Sequence, residues 1–125
     1  MILLIDTAIL IWTLADSPSL TVNSRKIIEQ AAVRLVSSIS IAEIEVKRSI
    51  GKLRMPDVYV EQIVKSGFDE LPFDFKDAFE LRSLPLHHRD PFDRMLISQA
   101  RARGLTILTS NVSFKEYNVP VVMNE

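Results

Sequence analysis

The chain contains no cysteine, so neither a disulfide framework nor a thiolate metal site can hold it together. Its two histidines, His87 and His88, are too few for a zinc centre and read as an exposed loop pair. Apolar runs are short. None approaches the roughly 20 residues of a membrane-spanning helix, and the apolar start Met1-Ile2-Leu3-Leu4 lacks a basic flank and a cleavage site. A cytoplasmic protein without membrane attachment is therefore expected. The net charge is only −1, from 15 basic and 16 acidic residues. That argues against broad adhesion to nucleic acid but permits a local basic rim. What is present is ordinary for one globular domain spanning residues 1–125, with 47% hydrophobic and 25% charged residues.

The hydrophobic pattern alternates between strands and helices. Ile2–Ile5 reads as a buried strand and Thr7–Leu14 as a helix, ended by Ser17-Pro18. A helix over Val22–Val33 with Thr21 as N-cap leads to a short strand, Arg34–Ser37. Helices follow at Ile39–Ile50, stopped by Gly51, and at Asp57–Lys65, stopped by Gly67. Glu70–Pro72 suggests a strand, Phe75–Arg82 a helix and Pro85–Arg89 a loop. Asp90-Pro91 supplies an N-cap and an N1 proline for a helix to Arg103, closed by Gly104. Strands at Leu105–Leu108 and Val119–Met123 complete the pattern. Alternation of this kind predicts an α/β fold, with a central, mostly parallel sheet of four or five strands between helices.

Four polar residues fall near the carboxyl edge of that sheet, where ligands of open α/β folds bind. Asp6 ends the first strand, and Asn111 follows the strand at Leu105–Leu108. Glu43 lies on one helical stripe with Ile39, Val46 and Ile50, at about 100° per residue. Asp93 precedes Leu96, Ile97 and Ala100 on the apolar face of its helix. Each acid has a blander reading: Asp6 as a helix N-cap, Glu43 as the partner of Lys47, Asp93 as favourable first-turn charge. Those readings leave their common edge unexplained. Clustered carboxylates repel unless a cation holds them together, and an all-oxygen donor set selects a hard ion, Mg²⁺ or Mn²⁺. Such an ion recruits phosphate and activates water, which suits phosphodiester hydrolysis.

Four stretches carry a family resemblance: Ile2-Leu3-Leu4-Ile5-Asp6-Thr7, Ser40-Ile41-Ala42-Glu43-Ile44-Glu45-Val46-Lys47, His88-Arg89-Asp90-Pro91-Phe92-Asp93-Arg94-Met95-Leu96-Ile97-Ser98-Gln99-Ala100, and Leu105-Thr106-Ile107-Leu108-Thr109-Ser110-Asn111. In this order they resemble the PIN-domain ribonucleases, in particular the VapC-like toxins of toxin–antitoxin pairs. The resemblance implies an α/β/α sandwich and a Mg²⁺- or Mn²⁺-dependent endoribonuclease. It places metal ligands at Asp6, Glu43 and Asp93, with Asp90 as an accessory. The family's fourth acidic position falls on Asn111, which contributes no charge and weakens the case for a second tightly bound metal. The resemblance also implies an RNA substrate, a cognate antitoxin and a homodimer.

Thr7 and Thr109 are candidates for hydrogen bonds to a metal-bound water or a phosphate. Arg89 and Arg94, which bracket the Asp90–Asp93 turn, are the basic residues placed to meet RNA phosphates. The alternative is a PIN-like module, weakened through Asn111, that binds RNA or a protein without turnover. A phosphatase built on a strand-1 Asp fits poorly, because the position two residues after Asp6 is Ala8.

Overall fold

A computed structural model describes residues 1–125. The elements run β1 (Ile2–Ile5), α1 (Thr7–Leu14), α2 (Val22–Gln30), β2 (Val33–Ser37), α3 (Ser38–Ser49) and α4 (Tyr59–Lys65). They continue with β3 (Asp69–Leu71), α5 (Phe75–Glu80), α6 (Pro91–Arg103), β4 (Thr106–Thr109) and β5 (Val121–Met123). Short 3₁₀ turns at Leu81–Ser83 and Val112–Glu116 follow α5 and β4.

All five strands are parallel, in the order β3-β2-β1-β4-β5. The α/β/α sandwich expected from the sequence is present, with five strands. Because successive strand residues point to opposite faces, β1 supplies two cores. Leu3 and Ile5 join Ile9, Leu10, Ile28, Ile44 and Ile63 on one side; Leu4 joins Leu71, Ile97, Ala100 and Phe114 on the other. Helices cover both faces, which is why β1 is apolar without alternation.

Chain order reverses at β1. The connections from β1 lead outward to β2 and β3, whereas β4 and β5 lie on its other side. That makes a crevice between the carboxyl ends of β1 and β4. Ile5 pairs with Leu108, and the amide of Asp6 donates to the Leu108 carbonyl at 3.1 Å. The ends of these two strands are thus held side by side.

α6 begins and ends as its sequence dictates. Asp90 Oδ1 accepts from the amides of Phe92 (2.9 Å) and Asp93 (3.1 Å), Pro91 opens the helix, and Gly104 takes a left-handed φ of 67° that a side chain would strain. At its far end α6 is fastened to α5 through buried Asp77. That carboxylate accepts from Arg103 Nε at 2.9 Å and Gln99 Nε2 at 3.1 Å, and closes a capping box with Asp74. Asp77→Ala would delete these charge-assisted bonds and leave a buried amide without its carboxylate, a loss of about 2 kcal/mol. Urea unfolding should show the drop; an unchanged midpoint would mean that the Asp77 cluster does not fasten α5 to α6.

The face of α3 differs from the expected one. Val46 and Ile50 are exposed, and the side turned to the protein carries Ile39, Ser40, Glu43 and Ile44. Serines explain the difference. Ser37 caps α3 by accepting from the Ile39 amide (3.0 Å), Ser40 accepts from Thr7 Oγ1 (3.0 Å), and Ser38 Oγ accepts from the Phe73 amide (3.0 Å). Hydroxyls satisfied in this way are buried without an apolar signal. Ile41 and Ile44 turn toward α4, with Tyr59 and Ile63 in the same cluster. Some boundaries also move: α2 stops at Gln30, β2 begins at Val33, α4 begins at Tyr59 and β5 at Val121.

Candidate metal centre

Asp6, Thr7, Glu43, Lys47, Asp90, Asp93, Ser110 and Asn111 line one cleft of about 290 Å³ at the carboxyl edge of the sheet, with Ala8 and Ile11 as its apolar wall. Four separate stretches of chain therefore meet there. Asp6 fills the role of cap and cleft residue together. Its Oδ1 accepts from the Ile9 amide at 2.9 Å and caps α1, while its Oδ2 accepts from Thr109 Oγ1 at 2.5 Å. Burial pushes the Asp6 carboxyl from its ordinary 3.8 up to about 6, against the pull of the Thr109 and Ile9 bonds, and the charges of Asp93 and Glu43 add to the rise. Asp93 is raised as well, first by burial, with Asp90 and Glu43 contributing and His88 opposing.

Glu43 is 5% exposed. Lys47 Nζ donates to its Oε2 at 2.7 Å, the i,i+4 pair that the sequence offered as the bland reading. Its other oxygen, Oε1, is buried without any partner. A carboxylate oxygen left bare in a low-dielectric site is costly. Together with two carboxyls raised by burial and mutual repulsion, it marks a site short of positive charge. The donor set of Asp6, Glu43 and Asp93 fits a hard divalent cation, which would meet the bare oxygen and neutralise the cluster.

The remaining candidates are placed differently. Thr7 lines the cleft, its hydroxyl donating to Ser40. Thr109 is fully buried and acts through its neighbours: its hydroxyl donates to Asp6 and accepts from the Asn111 amide at 3.0 Å. Asn111 caps the following 3₁₀ turn, its Oδ1 accepting from Ser113 N (3.0 Å) and Ser113 Oγ (2.8 Å). The oxygen is thereby engaged, and Nδ2 is the group left to the cleft as a hydrogen-bond donor. Arg89 is exposed beside the cleft, in a shallow depression shared with Leu86, Pro91, Arg94 and Met95. Arg94 turns to the preceding loop, with Nη1 donating to the Pro85 carbonyl at 2.9 Å and the Tyr117 hydroxyl at 3.3 Å.

One residue escapes sequence reasoning. His88 is a quarter exposed, not a free loop side chain, and its Nε2 lies 2.8 Å from Asp93 Oδ2. One donor atom each from His88, Asp90 and Asp93 lie within 4.8 Å of one another. The only hint in sequence was its place two residues before Asp90 and five before Asp93.

The fold recurs in solved structures. VapBC2 from Rickettsia felis bound to a promoter DNA fragment has a chain that is 20% identical, with TM-score 0.77 and full coverage of both chains. FitAcB from Neisseria gonorrhoeae is 19% identical, with TM-score 0.71 and 96% of each chain covered. A toxin–antitoxin complex from Klebsiella pneumoniae is 19% identical, with TM-score 0.67 and 98% of this chain and 97% of that one covered. At such identity these likenesses establish the shared fold. No curated protein sequence matches. The family model described as PIN domain matches residues 3–120, nearly the whole chain, and the protein belongs to the PIN-domain family.

Proposed function

We propose that this protein is a metal-dependent endoribonuclease, the toxin of a toxin–antitoxin pair. The observation that carries the reading is the bare, buried Oε1 of Glu43 in a cleft shared with Asp6 and Asp93. Family membership and the toxin–antitoxin complexes among the structural neighbours support it. Asp6, Glu43 and Asp93 would hold Mg²⁺ or Mn²⁺, with Asp90 as an accessory through the oxygen not engaged in capping. Bound there, the ion would offset phosphate charge and acidify a bound water. The chain's own groups do the rest. Thr109 and the α1 amide fix the Asp6 carboxylate, Asn111 Nδ2 offers a donor to a phosphate oxygen, and exposed Arg89 meets the RNA backbone beside the cleft.

Lys47 is the resident counter-charge of Glu43 and competes with the cation. The Lys47 side chain is 44% exposed, so the repulsion is close to the water-like limit of about 1 kcal/mol per pair of unit charges at 4 Å. Lys47→Met should therefore tighten Mn²⁺ binding by about tenfold at neutral pH, as measured by titration calorimetry. Weaker binding would show that Lys47 supports the site instead of competing with the cation.

The reading is tested by incubating purified, antitoxin-free protein with total RNA in Mg²⁺, Mn²⁺ or EDTA. Discrete fragments that need the metal are the expected result. The engaged oxygen of Asn111 favours a second reading, a weakened PIN module that binds RNA or protein without turnover. Tight RNA binding without cleavage, in folded protein, would establish that one. A cognate antitoxin and a homodimer complete the proposal. No helix is long and apolar enough to cross a membrane.

A further inference from the structure

We propose that His88 is the positioning residue of Asp93, held for that task by Tyr117 and Arg94; the inference rests on Asp6, Glu43 and Asp93 forming a cation site. His88 Nε2 lies 2.8 Å from Asp93 Oδ2. An ionised carboxylate offers only acceptors, so the proton of that bond belongs to the imidazole, and Nε2 is the protonated nitrogen. The bond fixes the Asp93 rotamer and leaves Oδ1 as the oxygen without a protein partner. Hydrogen bonds to a metal-binding side chain do this work widely, by setting its orientation before the ion arrives.

The loop around His88 is built to hold the ring. Residues 84–90 contain no helix or strand, so nothing regular fixes their path. Instead the His88 amide donates to the hydroxyl of Tyr117 at 2.9 Å, and Tyr117 is itself buried in the core under α6. Arg94 donates to that same hydroxyl and to the Pro85 carbonyl. Arg94 and Asp93 are adjacent on α6, so one helical turn both carries the carboxylate and braces the loop that orients it. A histidine that merely solvates a loop would need no such anchorage.

Direct ligation is the rival role, since His88 has a donor atom within reach of Asp90 and Asp93. It would require Nε2 to shed its proton and abandon Asp93. The experiment separates the two roles by titrating metal-free protein with Mn²⁺ in a calorimeter and recording nitrogen hyperfine couplings by pulsed EPR. His88→Ala should weaken Mn²⁺ binding by about 10- to 100-fold, the usual effect of losing an orienting partner. His88→Gln, whose amide can reach Oδ2, should recover most of the affinity, and Tyr117→Phe should lose part of it with His88 still present. Wild type should show no ¹⁴N coupling to the ion. Affinity equal to wild type in His88→Ala would overturn the proposal, and so would a wild-type ¹⁴N coupling that vanishes in that variant. Should His88→Ala fail to fold, His88→Asn, polar but too short to reach Oδ2, carries the same expectation. If the wild type binds no Mn²⁺, the cation-site reading itself falls, an outcome distinct from a wild type that binds and a variant that binds equally.

Discussion

Replacing Asp93 by Asn should slow metal-stimulated RNA cleavage by about a thousandfold or more, since metal charge stabilisation is worth several kcal/mol and each 1.36 kcal/mol is tenfold. The substitution is nearly isosteric. An amide oxygen can still accept from His88 Nε2, and the backbone bond from Asp93 to Asp90 Oδ1 is untouched. What disappears is one of four carboxylates lining the cleft, and with it Oδ1, the oxygen that the His88 bond leaves without a protein partner. The fold should survive, because Asn keeps the size of Asp and the Asp93 side chain is 19% exposed. Initial rates on an RNA substrate in saturating Mg²⁺, with circular dichroism of the same preparation, measure both halves of the expectation. A variant within tenfold of wild type would remove Asp93 from the catalytic machinery.

The sequence announced much of this arrangement. β1 is apolar throughout because helices cover both its faces, and Asp6 stands where the run breaks, at the sheet edge beside β4. α6 carries its start and stop in Asp90-Pro91 and Gly104. Periodicity failed on α3, where buried Ser40 is invisible to an apolar count and exposed Val46 and Ile50 mimic a core stripe. Glu43 is nevertheless buried, on a face shared with Ile39, Ser40 and Ile44. His88 was illegible for a different reason. Its place depends on Tyr117, 29 residues away, and no local pattern encodes a non-local anchor on a loop. The engagement of Asn111 Oδ1 by Ser113 was equally hidden, although an Asn two residues before a Ser is a common capping arrangement.

Asp6→Asn should stabilise the metal-free protein at neutral pH while destroying its response to metal. The Asp6 carboxyl titrates near 6 in the folded chain against 3.8 ordinarily. The folded state therefore holds this proton more tightly than the unfolded state does. Stability linked to Asp6 is greatest below about pH 4, falls as pH rises through the interval between the two values, and is fully lost above about pH 6. The difference corresponds to about 3 kcal/mol. Asn keeps the cap on α1 through its oxygen, since it serves as well as Asp there. Its amide nitrogen donates to the Thr109 hydroxyl in place of accepting from it, and the residue carries no charge to bury. In EDTA the wild type should thus unfold at higher urea at pH 5 than at pH 7.5, and the variant should lose most of that difference. Mg²⁺ at a hundred times its dissociation constant should restore about 2.7 kcal/mol to the wild type at pH 7.5 and little or nothing to the variant. Equal pH dependence in the two proteins would mean that Asp6 is not strained by its burial. Equal stabilisation by Mg²⁺ would mean that the ion binds elsewhere. If both differences appear, the charge that weakens the metal-free fold is the charge that holds the metal, and the instability of the cleft is a direct consequence of its function.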